Sequence, residues 1–363
     1  GPDKGADGMT VDRAGNVYCA GPTDIWIWNP DGKLLAKIKT PTRPINCAFG
    51  DSDLRSLYIT AFGGLYRQRM NAYGCLPELP LSEKSKNPKR PSTSIPNTVT
   101  PHLNEVYGQV GHRKLLADIF VPNTGKGPFP AVVVVHGGGW LNGDKAKFRA
   151  LSIALCQRGY VTMAVGYRLG HEVKFPAGIQ DCNAAVRFLR AKAKLYHVNP
   201  QQIGAVGGSA GGHLVGLMAA APHVNKLQGD AGYQDQSSAL QAAIVMAGPM
   251  QMASGSVAER SRKSPKKSNS NQWLGKTIDE DLELYQLSDA YLHLSKQTPP
   301  LLFMMGEFDH PERNAPSREK LKSLGVTTGL KVYAKGKHGC WNQRPWFNDM
   351  VKDMDRFFQD HLK

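Results

Sequence analysis

A chain of 363 residues, 41% of them hydrophobic, has room for one large domain or two ordinary ones and enough apolar material for a real core. No apolar run approaches the roughly 18 residues of a membrane span, so no stretch of this chain reads as a transmembrane helix. The formal charge of +15 is scattered, with local runs only at Lys84–Arg90 and Arg260–Lys267 in Ser-, Pro- and Asn-rich company; this reads as solubility and predicts neither nucleic acid nor membrane as a partner.

Residues 1–72 alternate short strands with turn chemistry. Strands are expected at Met9–Val11, Val17–Ala20, Ile25–Trp28, Leu34–Ile38, Asn46–Phe49, Leu57–Thr60 and Gly64–Gln68. Ala14-Gly15-Asn16 and Asn29-Pro30-Asp31-Gly32 supply hairpin turns between them. One four-stranded unit followed by most of a second, at a period of about 40 residues, is the mark of a β-propeller. The wording of this stretch, from Asp7-Gly8-Met9 through Gly15-Asn16-Val17-Tyr18 to Asn29-Pro30-Asp31-Gly32-Lys33, resembles the last blades of the gluconolactonase/regucalcin family. The resemblance makes Asp7 the counterpart of a metal ligand, but the family's other ligands come from earlier blades that this chain lacks. One carboxylate cannot satisfy a divalent ion that wants six or more oxygens. The segment is therefore expected to be a propeller remnant that binds no metal and leaves a sheet face uncovered.

Residues 73–100, with Pro77, Pro80, Pro88, Pro91 and Pro96, predict an extended linker. From residue 101 to 363 the pattern changes to strand and helix in turn. Leu103–Val110 and Lys114–Val121 read as an antiparallel pair, and Ala131–Val135 as a strand buried on both faces. A helix over Ala146–Arg158, a strand at Val161–Val165 and a helix over Pro176–Tyr196 follow. Then come a strand at Ile203–Val206, a helix over Ala210–Ala221 and strands at Leu240–Met246, Leu301–Met305 and Leu330–Tyr333. Helices over Arg313–Leu324 and Trp346–His361 complete an α/β fold, a mostly parallel sheet with helices on both faces.

Gly207-Gly208-Ser209-Ala210-Gly211 lies between a strand and a helix. A serine lifted above a sheet on such a strained turn needs neighbours without Cβ atoms. Three further features sit where nucleophilic chemistry at Ser209 needs them. His136-Gly137-Gly138-Gly139-Trp140 follows a strand, and the N–H groups of Gly138, Gly139 and Ala210 are candidate donors to a tetrahedral oxyanion. Asp309, with Glu307 as competitor, follows the strand Leu301–Met305 and could orient a histidine. His338 follows the strand Leu330–Tyr333 and would take the Ser209 proton. Each member of the order Ser209…Asp309…His338 falls on a loop at a strand's carboxyl end, the edge at which open α/β sheets bind ligands.

On these stretches, and on Tyr167–Asp181 and Ser288-Asp289-Ala290, residues 101–363 resemble the α/β-hydrolase esterases near the hormone-sensitive-lipase-like group. The resemblance is closer to carbohydrate esterases of the acetyl xylan and feruloyl type. It implies hydrolysis of short acyl or aromatic esters through an acyl-enzyme on Ser209, without metal or cofactor, on a small ester or acylated oligosaccharide. Asp181 matches a family position that supports the core. Gly208 stands where hormone-sensitive-lipase-like enzymes usually carry Asp. Pro249–Asp281 reads as a polar, basic cap loop rather than an apolar lid, which disfavours long-chain lipids. Trp140, Trp273 and Trp341 are expected at the substrate, and the basic cap residues suggest a preference for acidic glycans. A prolyl-oligopeptidase-type peptidase is the alternative, since it too joins a propeller to a serine hydrolase.

The six cysteines, Cys19, Cys47, Cys75, Cys156, Cys182 and Cys340, form no C-x-x-C pair, which argues against a zinc ribbon and leaves room for one or two bridges. The opening Gly1-Pro2-Asp3 without Met reads as a processed or cut terminus, so the compartment stays open, although a polysaccharide esterase would suit a secreted or periplasmic setting.

Overall fold

The computed structural model describes residues 6–12, 14–51, 54–72, 74 and 90–362. The chain parts into two compact units, Gly1–Glu83 and Lys84–Lys363.

The first unit holds two antiparallel sheets. The first is β1 (Met9–Val11), β2 (Val17–Ala20), β3 (Asp24–Trp28) and β4 (Leu34–Lys39), paired in that order. The second is β5 (Pro44–Gly50), β6 (Ser56–Ala61) and β7 (Gly64–Arg69). Alternation puts Tyr18, Ile25 and Ile27 on one inner face, where they meet Cys47, Leu57 and Ile59 of the other sheet. Gly15 and Gly32 take φ of 82° and 80° in the expected turns. Asp12 is buried and gathers the first turn by accepting from the Ala14 and Asn16 N–H groups and from Tyr18 Oη. Asp7 is exposed, whereas Met9, Phe62 and Leu65 leave apolar side chains in solvent. Among the described residues no three His, Cys, Asp or Glu side chains are placed to hold a metal ion.

The Pro-rich segment expected over 73–100 falls largely outside the described residues, and its described end, 90–98, carries neither helix nor strand. Cys75 and most of the basic run from Lys84 to Arg90 also lie outside them.

The second unit begins with the antiparallel pair β8 (Val99–Val110) and β9 (Arg113–Pro122), followed by β10 (Phe129–Val135), α1 (Arg149–Cys156), β11 (Val161–Val165), α2 (Ala177–Ala191), β12 (Val198–Gly208) and α3 (Ala210–Ala220). It continues with β13 (Ala242–Met246), α4 (Gly255–Lys263), α5 (Asn269–Leu274), α6 (Leu282–Ser288), α7 (Ala290–His293), β14 (Leu301–Gly306), α8 (Ala315–Ser323), β15 (Thr328–Tyr333) and α9 (Trp346–Leu362). The sheet order is β15-β14-β13-β12-β10-β11-β9-β8, parallel from β15 to β11 and antiparallel at the β9 and β8 edge.

The valine run in β10 shows why the sheet is covered on both sides. Val133 and Val135 face one core with α2 and α3, while Val132 and Val134 face the other with Leu151 and Leu155 of α1 and Met350, Met354 and Phe358 of α9. Burying each such side chain stabilises the fold by about 1.5–3 kcal/mol. Because β10 is followed by β11 on one side and β12 on the other, the connections diverge there and open a crevice above the carboxyl ends.

Two expectations change. The helix expected from Ala146 splits into a 3₁₀ turn, Lys145–Phe148, capped by Asp144, and then α1. The cap expected as a loop over Pro249–Asp281 contains α4 and α5. The Ser268 side chain caps α5, and Gly275 ends it at φ 82° in the left-handed region. The Asp281 and Asp289 carboxylates cap α6 and α7. Cys19, Cys47, Cys156, Cys182 and Cys340 are free, buried thiols.

Candidate active site

Ser209 stands between the last residue of β12 and the first of α3, at φ 57° and ψ −123°. A bulky residue in that region is strained, and the surroundings hold it there. The flanking glycines are sterically required. A Cβ at Gly207 would come within 2.3 Å of the Gly211 carbonyl oxygen, and one at Gly211 within 2.2 Å of the Val135 oxygen. A Cβ at Gly208 would press on Trp341 and Phe148, each nearer than 3 Å. These two aromatics fill the space beside the elbow at Gly208.

His338 Nε2 lies 2.9 Å from Ser209 Oγ, and His338 Nδ1 lies 2.7 Å from Asp309 Oδ2. Asp309 is buried, while the imidazole is half exposed toward the cleft. Glu307 is excluded from this relay because its carboxylate accepts the Lys335 N–H at 2.7 Å. Arg313 was not singled out by sequence. Its Nη2 stands 3.7 Å from Asp309 Oδ1, and its Nη1 donates to the Ala247 carbonyl at 3.1 Å.

The loop after β10 comes to Ser209 with Gly138 at φ 143° and Gly139 at φ 60°, conformations that L side chains rarely adopt, and a Cβ at Gly138 would lie 1.7 Å from the Asn142 carbonyl oxygen. Its N–H groups at Gly138 and Gly139 have no hydrogen-bond acceptor among the described residues. The Ala210 N–H belongs to the first turn of α3, where helical N–H groups have no partner. His136 fastens the loop from below. It stacks on Tyr167 at 4.4 Å, its backbone carbonyl accepts from Tyr167 Oη at 2.9 Å, and its Nδ1–H donates to the Gly137 carbonyl at 3.0 Å. Burial pushes the His136 pKa down to about 4, so the ring is neutral. Further back, the Arg168 guanidinium grips the fully buried Asp181 carboxylate in a bidentate pair.

A cavity of about 730 Å³ opens over Ser209 and His338. Gly139, Trp140 and Ala210 line it from the sheet side, Arg260 and Asn269 from the cap. Of the three tryptophans expected at the substrate, Trp140 lines the cavity. The other two are corrected by the structure. Trp273 is 1% exposed and stacks on Trp140 at 5.1 Å, and Trp341 is 4% exposed with its ring edge against His338 at 5.1 Å. Neither has surface left for a ligand, so each shapes a neighbour that does. Of the basic cap residues, Arg260 lines the cavity, while Arg262 is paired with Asp279 and Lys263 with Glu259. No helix among the described residues is long and apolar enough to cross a membrane.

A sheet of this order, with a strained serine at a strand-to-helix turn and its histidine three strands away, defines an α/β-hydrolase. Residues 117–321 match the BD-FAE family, and the chain belongs to it. Residues 1–63 match the SMP-30/gluconolactonase/LRE-like region. Esterase LipQ of Mycobacterium tuberculosis is 24% identical over 291 residues, 77% of this chain and 66% of LipQ's own length. Esterase 2 of the planctomycete Thermogutta terrifontis, solved with propionate bound, is 27% identical with a TM-score of 0.59, over 73% of this chain and 96% of that one. A truncated carbohydrate esterase from gut microbiota shares the fold at a TM-score of 0.63 and 23% identity, over 75% of this chain and 99% of that one.

Proposed function

We propose that this protein is a serine carboxylic ester hydrolase, with residues 101–363 as its catalytic domain. The observation that carries the reading is the continuous relay Ser209–His338–Asp309 beside the Gly138, Gly139 and Ala210 N–H groups, which have no acceptor among the described residues. Ser209 Oγ attacks the ester carbonyl carbon while its proton passes to His338 Nε2. Asp309 holds the Nδ1–H and stabilises the imidazolium. The N–H groups of Gly138, Gly139 and Ala210 receive the oxyanion. Collapse breaks the carbon–oxygen bond, and the imidazolium gives its proton to the departing alcohol. Water, deprotonated by the same ring, then attacks the acyl-enzyme, and the carboxylic acid leaves as Ser209 recovers its proton.

The substrates proposed are acetyl or feruloyl groups on plant polysaccharide. The cavity volume suits a small acyl or aromatic group with part of a sugar, and the polar cap offers little to an alkyl chain. Propionate in the Thermogutta relative is in keeping with a short acyl group. The test is turnover of p-nitrophenyl acetate, acetyl xylan, a feruloylated arabinose and p-nitrophenyl palmitate by the protein and by Ser209→Ala. The first three are expected to be cleaved by the protein alone, and the palmitate hardly at all. A proline-containing chromogenic peptide cleaved faster than p-nitrophenyl acetate would reverse the assignment toward a peptidase.

A further inference from the structure

The oxyanion donors come from two different elements, the loop after β10 and the first turn of α3. For both to aim at one point, something must fix the loop against the helix. Two features of Trp140 and His213 meet that need.

Trp140 directly follows Gly139 and itself sits at φ 62°, a left-handed conformation that costs a bulky residue energy. Its indole Nε1–H donates to His213 Nδ1 at 3.1 Å. His213 lies one turn after Ser209 on α3, and its backbone N–H donates to the Ser209 carbonyl at 3.0 Å. The far side of its ring, Nε2, lies 2.8 Å from the Ser288 carbonyl oxygen at the end of α6.

Simple chemistry fixes the state of this ring. An indole N–H can only donate, so Nδ1 must keep its lone pair; a carbonyl can only accept, so Nε2 must carry the hydrogen. The ring is therefore a neutral Nε2–H tautomer, gripped at both nitrogens and fully buried. It stands edge-on to both Trp140 and Trp273, at 5.4 and 5.5 Å. Burial also holds its pKa down at about 4.

We propose that His213 is a positioning residue: a neutral ring, locked in one tautomer, that ties Trp140 and the oxyanion loop to the helix bearing Ser209. The inference rests on the ester-hydrolase reading and says how that site keeps its geometry. His213 touches no substrate and acts through Trp140. Misplacing the loop donors by a fraction of an ångström weakens them where charge develops in the transition state, and leaves substrate binding nearly intact.

The two ring nitrogens can be tested separately. In His213→Asn, Oδ1 replaces the Nδ1 acceptor that faces Trp140. In His213→Gln, Nε2 replaces the donor that faces Ser288. Trp140→Phe keeps the stacked ring and removes the indole donor. Steady-state hydrolysis of p-nitrophenyl acetate is measured for each, together with the thermal midpoint, so that loss of folded protein is scored apart from loss of rate. We expect His213→Gln and Trp140→Phe to lose about tenfold or more in kcat with KM within about twofold, and His213→Asn to stay within about threefold of the parent. A ring that served only to anchor α6 would give the opposite order, with Gln tolerated and Asn not; that order, a change confined to KM, or parental kcat in Trp140→Phe overturns the proposal. If the parent and Ser209→Ala are equally inactive, the proposed function fails on its own account. The Trp140 indole ¹H–¹⁵N resonance then decides: shifted in His213→Gln and retained in His213→Asn it supports the clamp, and unmoved in both it removes it.

Discussion

The floor of the cavity and the cap above it differ in how they are held. On the floor, Ser209, Gly138 and Gly139 take left-handed backbone conformations that neighbours enforce: Tyr167 under His136, Trp341 and Phe148 beside Gly208, Val135 over Gly211. The cap is organised around a small polar hub instead. Ser261 Oγ meets Tyr285 Oη at 3.0 Å and accepts the Ile278 N–H at 2.9 Å, Asn271 Nδ2 donates to the Ser261 carbonyl at 3.1 Å, and Asn271 also bonds Tyr285. Outside that hub α4 is polar, and Arg260 and Asn269 face the cavity as exposed residues. A floor fixed from every side is suited to chemistry, which tolerates little displacement. A cap that holds itself together can change its cavity face without disturbing that chemistry.

The contrast breaks most visibly at the floor. Ser209→Ala and His338→Ala should each lower kcat by roughly 10⁴-fold or more, and Asp309→Asn by a comparable or smaller factor, measured on p-nitrophenyl acetate. Next in size is the buried pair behind the floor. Asp181→Asn strips Arg168 of its partner and should cost about 3–5 kcal/mol in urea unfolding. An effect below 1 kcal/mol would mean the pair contributes little beyond what neutral groups supply.

Acid should loosen the same region. His136 and His213 are both held near pKa 4 by burial, against about 6.5 in an unfolded chain. The unfolded state therefore binds more protons below pH 6.5, and stability falls as the pH drops from there through 4. Each ring should cost roughly 2 kcal/mol between pH 7 and pH 5, read from urea midpoints. The pH dependence should shrink in a variant lacking either ring. The smallest effect belongs to the cap. Arg260→Gln should change turnover of acetylated uronic-acid glycosides by only a few-fold, through KM, and leave acetyl xylan unchanged, because a solvent-exposed charge is screened. Equal effects on both substrates would remove any acidic preference.

The difference between floor and cap also explains what the sequence disclosed. Glycines at 138, 139, 207 and 211 are dictated by backbone geometry, and Asp309 and His338 follow strands, so local pattern located the floor. The cap helices were hidden because α4 and α5 are short and polar; their marks are Ser268 and Gly275 at the two ends of α5, which a loop reading absorbs as ordinary turn residues. Trp273 is expected at the substrate from sequence, but its rings are taken up by Trp140 and Phe175. His213 gave no signal because its partner lies 73 positions away, and Arg313 gave none because its value comes from a contact with Asp309.

The claim that Ser209 forms a covalent acyl intermediate is tested most directly by intact-mass and peptide mapping after rapid acid quench of the protein with p-nitrophenyl acetate. The account predicts a single acetyl adduct on the peptide carrying Ser209, absent from Ser209→Ala and strongly reduced in His338→Ala. Turnover with no adduct on that peptide, or an adduct that persists in Ser209→Ala, would contradict it.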